Sequence, residues 1–177
     1  MQDYIAFAQK KNIVLLDTGK CQFCGASTKR GIHECIKIFN LDIGIDVSKL
    51  QNHIFKFLIV DAHALQHPEI HGRWSNHFHL TRLHLIIKYD INWTYKMSSK
   101  LSNHLNIYKS KKQHEVLLPP ETMQRGLITS TDILEKPKNP SETKEWVKKW
   151  AWSTYDSWSA NHKVVDVIAH QFLNNSL

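Results

Sequence analysis

Apolar residues recur along this chain mostly at intervals of three and four, the spacing of helices with one buried face. Leu50, Ile54, Leu58, Asp61 and Leu65 follow it, with Ser48 placed as an N-cap and Pro68 disfavouring helical geometry at His67. Ser75 is the expected cap of the next helix, whose apolar side is Leu80, Leu83, Ile86 and Ile87. A weaker pattern at Leu101, Leu105 and Tyr108 runs through a Lys-rich stretch, 97–114. The clearest stripe is Val147, Ala151, Tyr155, Trp158, His162, Val165, Ala169 and Phe172, which predicts one long helix capped by Ser141. Short helices are expected at 4–9 and 33–41, and no segment alternates as a long strand would. The expectation is a mainly α, single helical domain over 1–177 with a small N-terminal zinc-knuckle segment. Its parts are the knuckle and first helices (1–45), His-rich helices (46–115), a Pro-rich connector (116–140) with at most one helical turn, and the C-terminal helix (141–177).

Composition narrows the class. With 42% hydrophobic and 22% charged residues the chain is ordinary for a globular protein, and 177 residues suit one domain. No apolar run approaches the roughly 20 residues that span a bilayer. Residues 1–12 lack a signal-like apolar core, so a reducing, cytoplasmic setting without disulfides is expected. The net charge of +7 permits contact with polyanions, but Lys and Arg are scattered and no reading-helix motif is present. No specific nucleic-acid partner and no membrane is therefore expected.

The chemistry sits in the cysteines. Cys21 and Cys24 are spaced C-x2-C with Gly25 directly after, as in a turn that aims two thiolates at one zinc ion. Cys35 supplies a third sulfur, and tetrahedral zinc asks for a fourth ligand among the histidines: His33, His63 or His67. A thioredoxin-like reading needs a βαβ context that is absent. A zinc deaminase needs H-x-E before P-C-x-x-C, whereas His33-Glu34-Cys35 follows the pair and has Glu adjacent to His.

His63 and His67, four apart, project from one helix face. Asp61 lies on the apolar side of the same helix and must be paired if buried. His162 interrupts the apolar stripe of the last helix among Trp146, Trp150, Trp152 and Trp158, so a partly buried imidazole paired with Asp61 is expected. His77 and His84 share a face that would ordinarily be solvent-exposed.

Cys21-Gln22-Phe23-Cys24-Gly25-Ala26, Cys35 with Phe39, the segment Val60-Asp61-Ala62-His63-Ala64-Leu65-Gln66-His67-Pro68, and His79-Leu80 resemble an uncharacterised bacterial family. Its members carry C-x-x-C-G-A and V-D-A-Y-A-L-Q-H-P signatures. The C-terminal half is similar too: Leu118-Pro119-Pro120, Gly126-Leu127-Ile128-Thr129, Trp150-Ala151 and Trp158-Ser159 followed by His162. His63 stands where that pattern has Tyr, which favours His67 as the fourth ligand. The family is catalogued as a domain of unknown function, so the resemblance implies a site and names no reaction.

The leading expectation is a small bacterial zinc protein with Cys21, Cys24, Cys35 and His67 on the ion, mainly structural because a four-ligand site is closed. One alternative is a metal-dependent hydrolase or transferase with an open site, its pocket built from Asp61, His79 and His162. The other is a nucleic-acid- or protein-binding module using the Lys100–Lys112 stretch.

Overall fold

The computed structural model describes residues 4–40, 53–110 and 115–176. The expected cap Ser48, the apolar Leu41 and Leu50, and the basic Lys111 and Lys112 lie outside them. Among the described residues there are eight α-helices and no named strand: α1 (Tyr4–Lys10), α2 (Gly31–Asn40), α3 (Ile54–Gln66), α4 (Arg73–Tyr89), α5 (Tyr95–Ser110), α6 (Ser130–Glu135), α7 (Pro140–Ser157) and α8 (His162–Ser176). Among the described residues the one extended pairing is an isolated parallel bridge between Gly19 and Arg30.

The main core is formed where α3 packs on α4 and α7, α4 packs on α8, and α5 closes against α4 and α8. Leu58, Leu65, Leu80, Leu83, Trp158, Val165 and Phe172 are buried there, as their helix spacing predicts, and Trp150 is buried with them. Each such side chain contributes about 1.5–3 kcal/mol over an exposed one. The C-terminal end of α3 is tied on every side. Trp158 Nε1–H donates to the Leu65 carbonyl at 3.1 Å, and Trp150 Nε1–H donates to Gln66 Oε1 at 3.0 Å. Gln66 Nε2 donates to the carbonyls of Arg125 (3.0 Å) and Ile128 (2.8 Å), fastening the connector to the bundle. The residue after this anchored end is His67.

Several boundaries differ from the sequence reading. The single C-terminal helix is two, separated by a 3-10 turn, Ser159–Asn161. The break has a cause: Asn161 must pair with the backbone of Leu118, accepting its N–H at 2.7 Å and donating to its carbonyl at 2.8 Å. The turn keeps the phase of the stripe, so the apolar pattern runs through it unbroken. The cap of α7 is Asn139, whose side chain accepts from Glu142 N–H, with Pro140 in the first turn; Ser141 lies inside the helix. α4 starts from Gly72, before Ser75. The connector holds α6, started by a reciprocal box between Thr129 and Asp132.

Candidate metal centre

Two tight turns build the knuckle. Cys21 N–H donates to the Ala26 carbonyl at 3.0 Å and Gly25 N–H donates to the Cys21 carbonyl at 2.9 Å, folding 21–26 on itself. Gly25 has φ +79°, a left-handed conformation that glycine adopts without steric cost. The chain then returns, with Gly31 N–H donating to the Gly19 carbonyl at 3.0 Å. Gly31 has φ +54°, and a Cβ there would stand 2.2 Å from the Leu16 carbonyl oxygen. This close approach starts α2, and the amides of Lys29 and Arg30 just before it donate to the Glu34 carboxylate in its first turn at 2.7 and 2.9 Å. One turn into α2, Cys35 faces inward.

Pro68 ends α3 at Gln66, so His67 leaves helical geometry (φ −129°, ψ 45°) and its ring swings toward the knuckle. Its Nδ1–H donates to the His63 carbonyl at 2.7 Å, which fixes the ring and turns Nε2 toward the sulfurs. That Nε2 lies 3.4 Å from Cys21 Sγ and 3.4 Å from Cys35 Sγ. Cys24 and Cys35 sulfurs are 3.7 Å apart and unbonded. All four ligand atoms lie within 4.8 Å of one another, and all four residues are buried. A tetrahedral zinc site, from Zn–S of about 2.3 Å and Zn–N of about 2.0–2.1 Å, has S···S edges near ~3.8 Å and S···N edges near ~3.6 Å. The two His67–sulfur contacts and the Cys24–Cys35 contact lie within about 0.2 Å of those edges. The cluster could hold a metal ion, and three thiols with one imidazole suit a borderline-to-soft one.

Charge is shared unevenly in the cluster. Hydrogen bonding from Cys24 and Cys35, with His67 beside it, holds the Cys21 thiol far below its usual range. Sharing with Cys21 and Cys35, and burial, push Cys24 well above its own. Burial alone would lower His67, but the Cys35 charge and the hydrogen bonds to Cys21 and Cys35 outweigh it and raise the imidazole to about 10. The pocket thus favours negative sulfur opposed by one positive charge. The Ser130 hydroxyl from α6 sits 3.6 Å from Cys35 Sγ.

The other sequence candidates go elsewhere. His33 is hydrogen-bonded to the Tyr4 hydroxyl at 2.7 Å and is not part of the four-residue cluster. His63 stacks between Phe39 (3.9 Å) and His67 (4.2 Å), and its buried Nε2 has no hydrogen-bond partner among the described residues. Asp61 is fully buried and paired, as a buried carboxylate must be, but its partners are Arg82 and His79. The expected pairing of Asp61 with His162 does not form. His162 is half-buried, donates through Nε2 to the Tyr155 carbonyl at 3.0 Å, and stacks on the Tyr155 ring at 4.0 Å. The three-residue cluster Asp61, His79, His162 therefore reduces to Asp61 with His79, at 2.7 Å.

His77 and His84 are buried, against the expectation of exposed helix histidines. His84 bridges the Tyr155 hydroxyl (2.8 Å) and Asp166 (2.9 Å), joining α4 to α7 and α8. Arg82 and Asp166 were not among the sequence candidates. The available signal was the unpaired Asp61 on an apolar face, which asks for a cation on a neighbouring helix.

Residues 19–159 match a family of unknown function (DUF5946), and the chain belongs to that family. Neither the curated proteins nor the solved structures give a match. Among the described residues no helix is long and apolar enough to cross a membrane.

Proposed function

We propose that this DUF5946 chain is a small zinc-binding protein in which Cys21, Cys24, Cys35 and His67 hold one ion in a closed, mainly structural site. The observation that carries the reading is the clustering of three sulfurs and an imidazole nitrogen, with N···S contacts of 3.4 and 3.4 Å, an S···S contact of 3.7 Å, all four atoms within 4.8 Å of one another, and the ring held in place by the His63 carbonyl. Zinc supplies a dication to a buried group of thiolates and leaves no coordination position open.

Packing supports a structural role. The knuckle has a small core of its own: Ala8, Cys21, Phe23, Cys24, Ala26, Ile32, Cys35 and Ile70. Its buried large apolar side chains are Phe23, Ile32 and Ile70, with Tyr4, Ile13, Leu15 and Ile36 only partly buried against them, a small core for some twenty residues of turn, so metal binding and folding are coupled there. The ion would pin the N-terminal knuckle to the anchored end of α3. Three thiols without a disulfide suit a reducing compartment such as a bacterial cytoplasm.

The test is removal of one ligand. Cys21→Ser, in the full chain, should lose the ion and expose 19–35 to limited proteolysis while the α3–α8 helices keep their circular dichroism. Protection of 19–35 unchanged in Cys21→Ser would count against the structural role.

A further inference from the structure

The loop 123–128 is fastened on several sides, yet it leaves two apolar side chains in water. Met123 N–H donates to the Phe23 carbonyl at 3.1 Å, and Gln66 holds the carbonyls of Arg125 and Ile128. Leu127 N–H donates to Ser153 Oγ of α7 at 2.9 Å. Just before it Gly126 has φ +111°, and a Cβ there would stand 2.7 Å from Ser153 Oγ, so glycine is what lets the loop lie this close to the helix. The Leu127 side chain, presented on this fixed backbone, is 94% exposed, and Met123 is 50% exposed. An apolar side chain held bare on an ordered backbone is preorganised as an interface anchor.

The outer face of α7 supplies the rest of the patch. Lys149, Trp152 and Asp156 share its exposed strip, and Trp152 is 42% exposed. A cavity of about 440 Å3 opens between loop and helix, with Leu127 on one wall and Ser153 and Asp156 on the other. One face thus carries both a projecting leucine and a hollow beside it, which is what a self-complementary contact requires. Charge selects the occupant. Among the described residues Asp156 has no ion pair, and the Lys149 ammonium lies 5.4 Å from the Trp146 ring centroid without a carboxylate partner. Lys149 stands three residues before Trp152, and Asp156 three after Ser153. Two α7 helices lying antiparallel about a twofold axis between Trp152 and Ser153 therefore set Lys149 of each copy opposite Asp156 of the other. Such pairs add little affinity but fix register and partner.

We propose that this face takes a second copy of the chain, forming a twofold dimer in which each Leu127 seats against the loop and α7 of the other copy and two Lys149–Asp156 pairs set the register. Trp152 and Met123 lose water in the same contact, an aromatic and a thioether of the kind enriched at interface centres. No residue of the sulfur cluster takes part, so the dimer stands or falls separately from the zinc reading.

The experiment is sedimentation velocity of the full chain over a concentration series under reducing conditions, beside Leu127→Ser, Lys149→Asp, Asp156→Lys and the double reversal of Lys149→Asp with Asp156→Lys. All three positions are exposed, so the variants should keep the native circular dichroism and thermal melt. The native chain should pass from monomer to dimer as its concentration rises. Leu127→Ser should weaken the dimer at least ~10-fold, since two leucines leave one interface. Each single reversal sets like charges against one another at two places and should weaken it at least ~10-fold, and the double reversal should restore it to within about 3-fold. A native chain that stays monomeric into the millimolar range overturns the proposal, including one whose Leu127 face takes up lipid vesicles or another protein instead. A dimer indifferent to Leu127→Ser, or one weakened by the single reversals and not restored by the double, overturns it as well.

Discussion

Removing the Asp61 carboxylate should cost far more than an average substitution. Asp61 is fully buried and accepts hydrogen bonds from Arg82 Nε (2.8 Å) and Nη2 and from His79 (2.7 Å). In Asp61→Ala the guanidinium stays buried between the Phe57 and Phe78 rings, 4.9 and 4.8 Å away, with only Ser98 Oγ at 3.3 Å as a neutral acceptor. An unpaired buried charge of this kind costs about 3–5 kcal/mol. For a chain of this size that lowers Tm by about 10 °C, at roughly 2–4 °C per kcal/mol. The assay is urea unfolding of metal-loaded protein, where a slope near ~3 kcal/mol/M turns 4 kcal/mol into a midpoint shift of about 1.3 M. The double replacement Asp61→Leu with Arg82→Met should recover most of the loss, because both charges leave together. A cost under about 1 kcal/mol for Asp61→Ala would refute the reasoning, as would a double variant whose loss equals the sum of the two singles.

Gly31→Ala should destabilise the knuckle by at least about 1–3 kcal/mol from backbone strain alone, since its φ is +54° and the new Cβ meets the Leu16 carbonyl; a thermal melt reads it. Asp166 governs an acid limb of stability. Burial would raise its pKa, but hydrogen bonds from Lys88, Tyr89 and His84 prevail and hold it below the ordinary carboxylate range. Its contribution is therefore present above about pH 4 and is lost as pH falls through the folded value, so Asp166→Asn should flatten the decline in unfolding free energy below about pH 4.

What could be read without a structure follows from how local the physics is. Cys21, Cys24 and Gly25 are a turn in themselves, and Pro68 marks the residue where α3 must release His67. These signals are contained in a few neighbouring positions. The resemblance to a family motif was needed to choose His67 from His33 and His63, because ring direction depends on the break at Pro68 and on the His63 carbonyl. The Asp61 partner was out of reach: Arg82 is on a different helix, and only the packing of α3 on α4 brings the two together. The burial of His84 had the same cause, its partners Tyr155 and Asp166 lying on α7 and α8. The break at 159–161 left no trace in the apolar stripe because the demand came from Leu118, in the connector.

The central claim is that the four-residue cluster is a zinc site, and elemental analysis joined to X-ray absorption at the zinc edge tests it most directly. Protein purified under reducing conditions without added metal should contain about one tightly held zinc per chain, with about three sulfurs near 2.3 Å and one nitrogen at about 2.0–2.1 Å. A fully folded, metal-free protein, or zinc surrounded by oxygen and nitrogen alone, would contradict it.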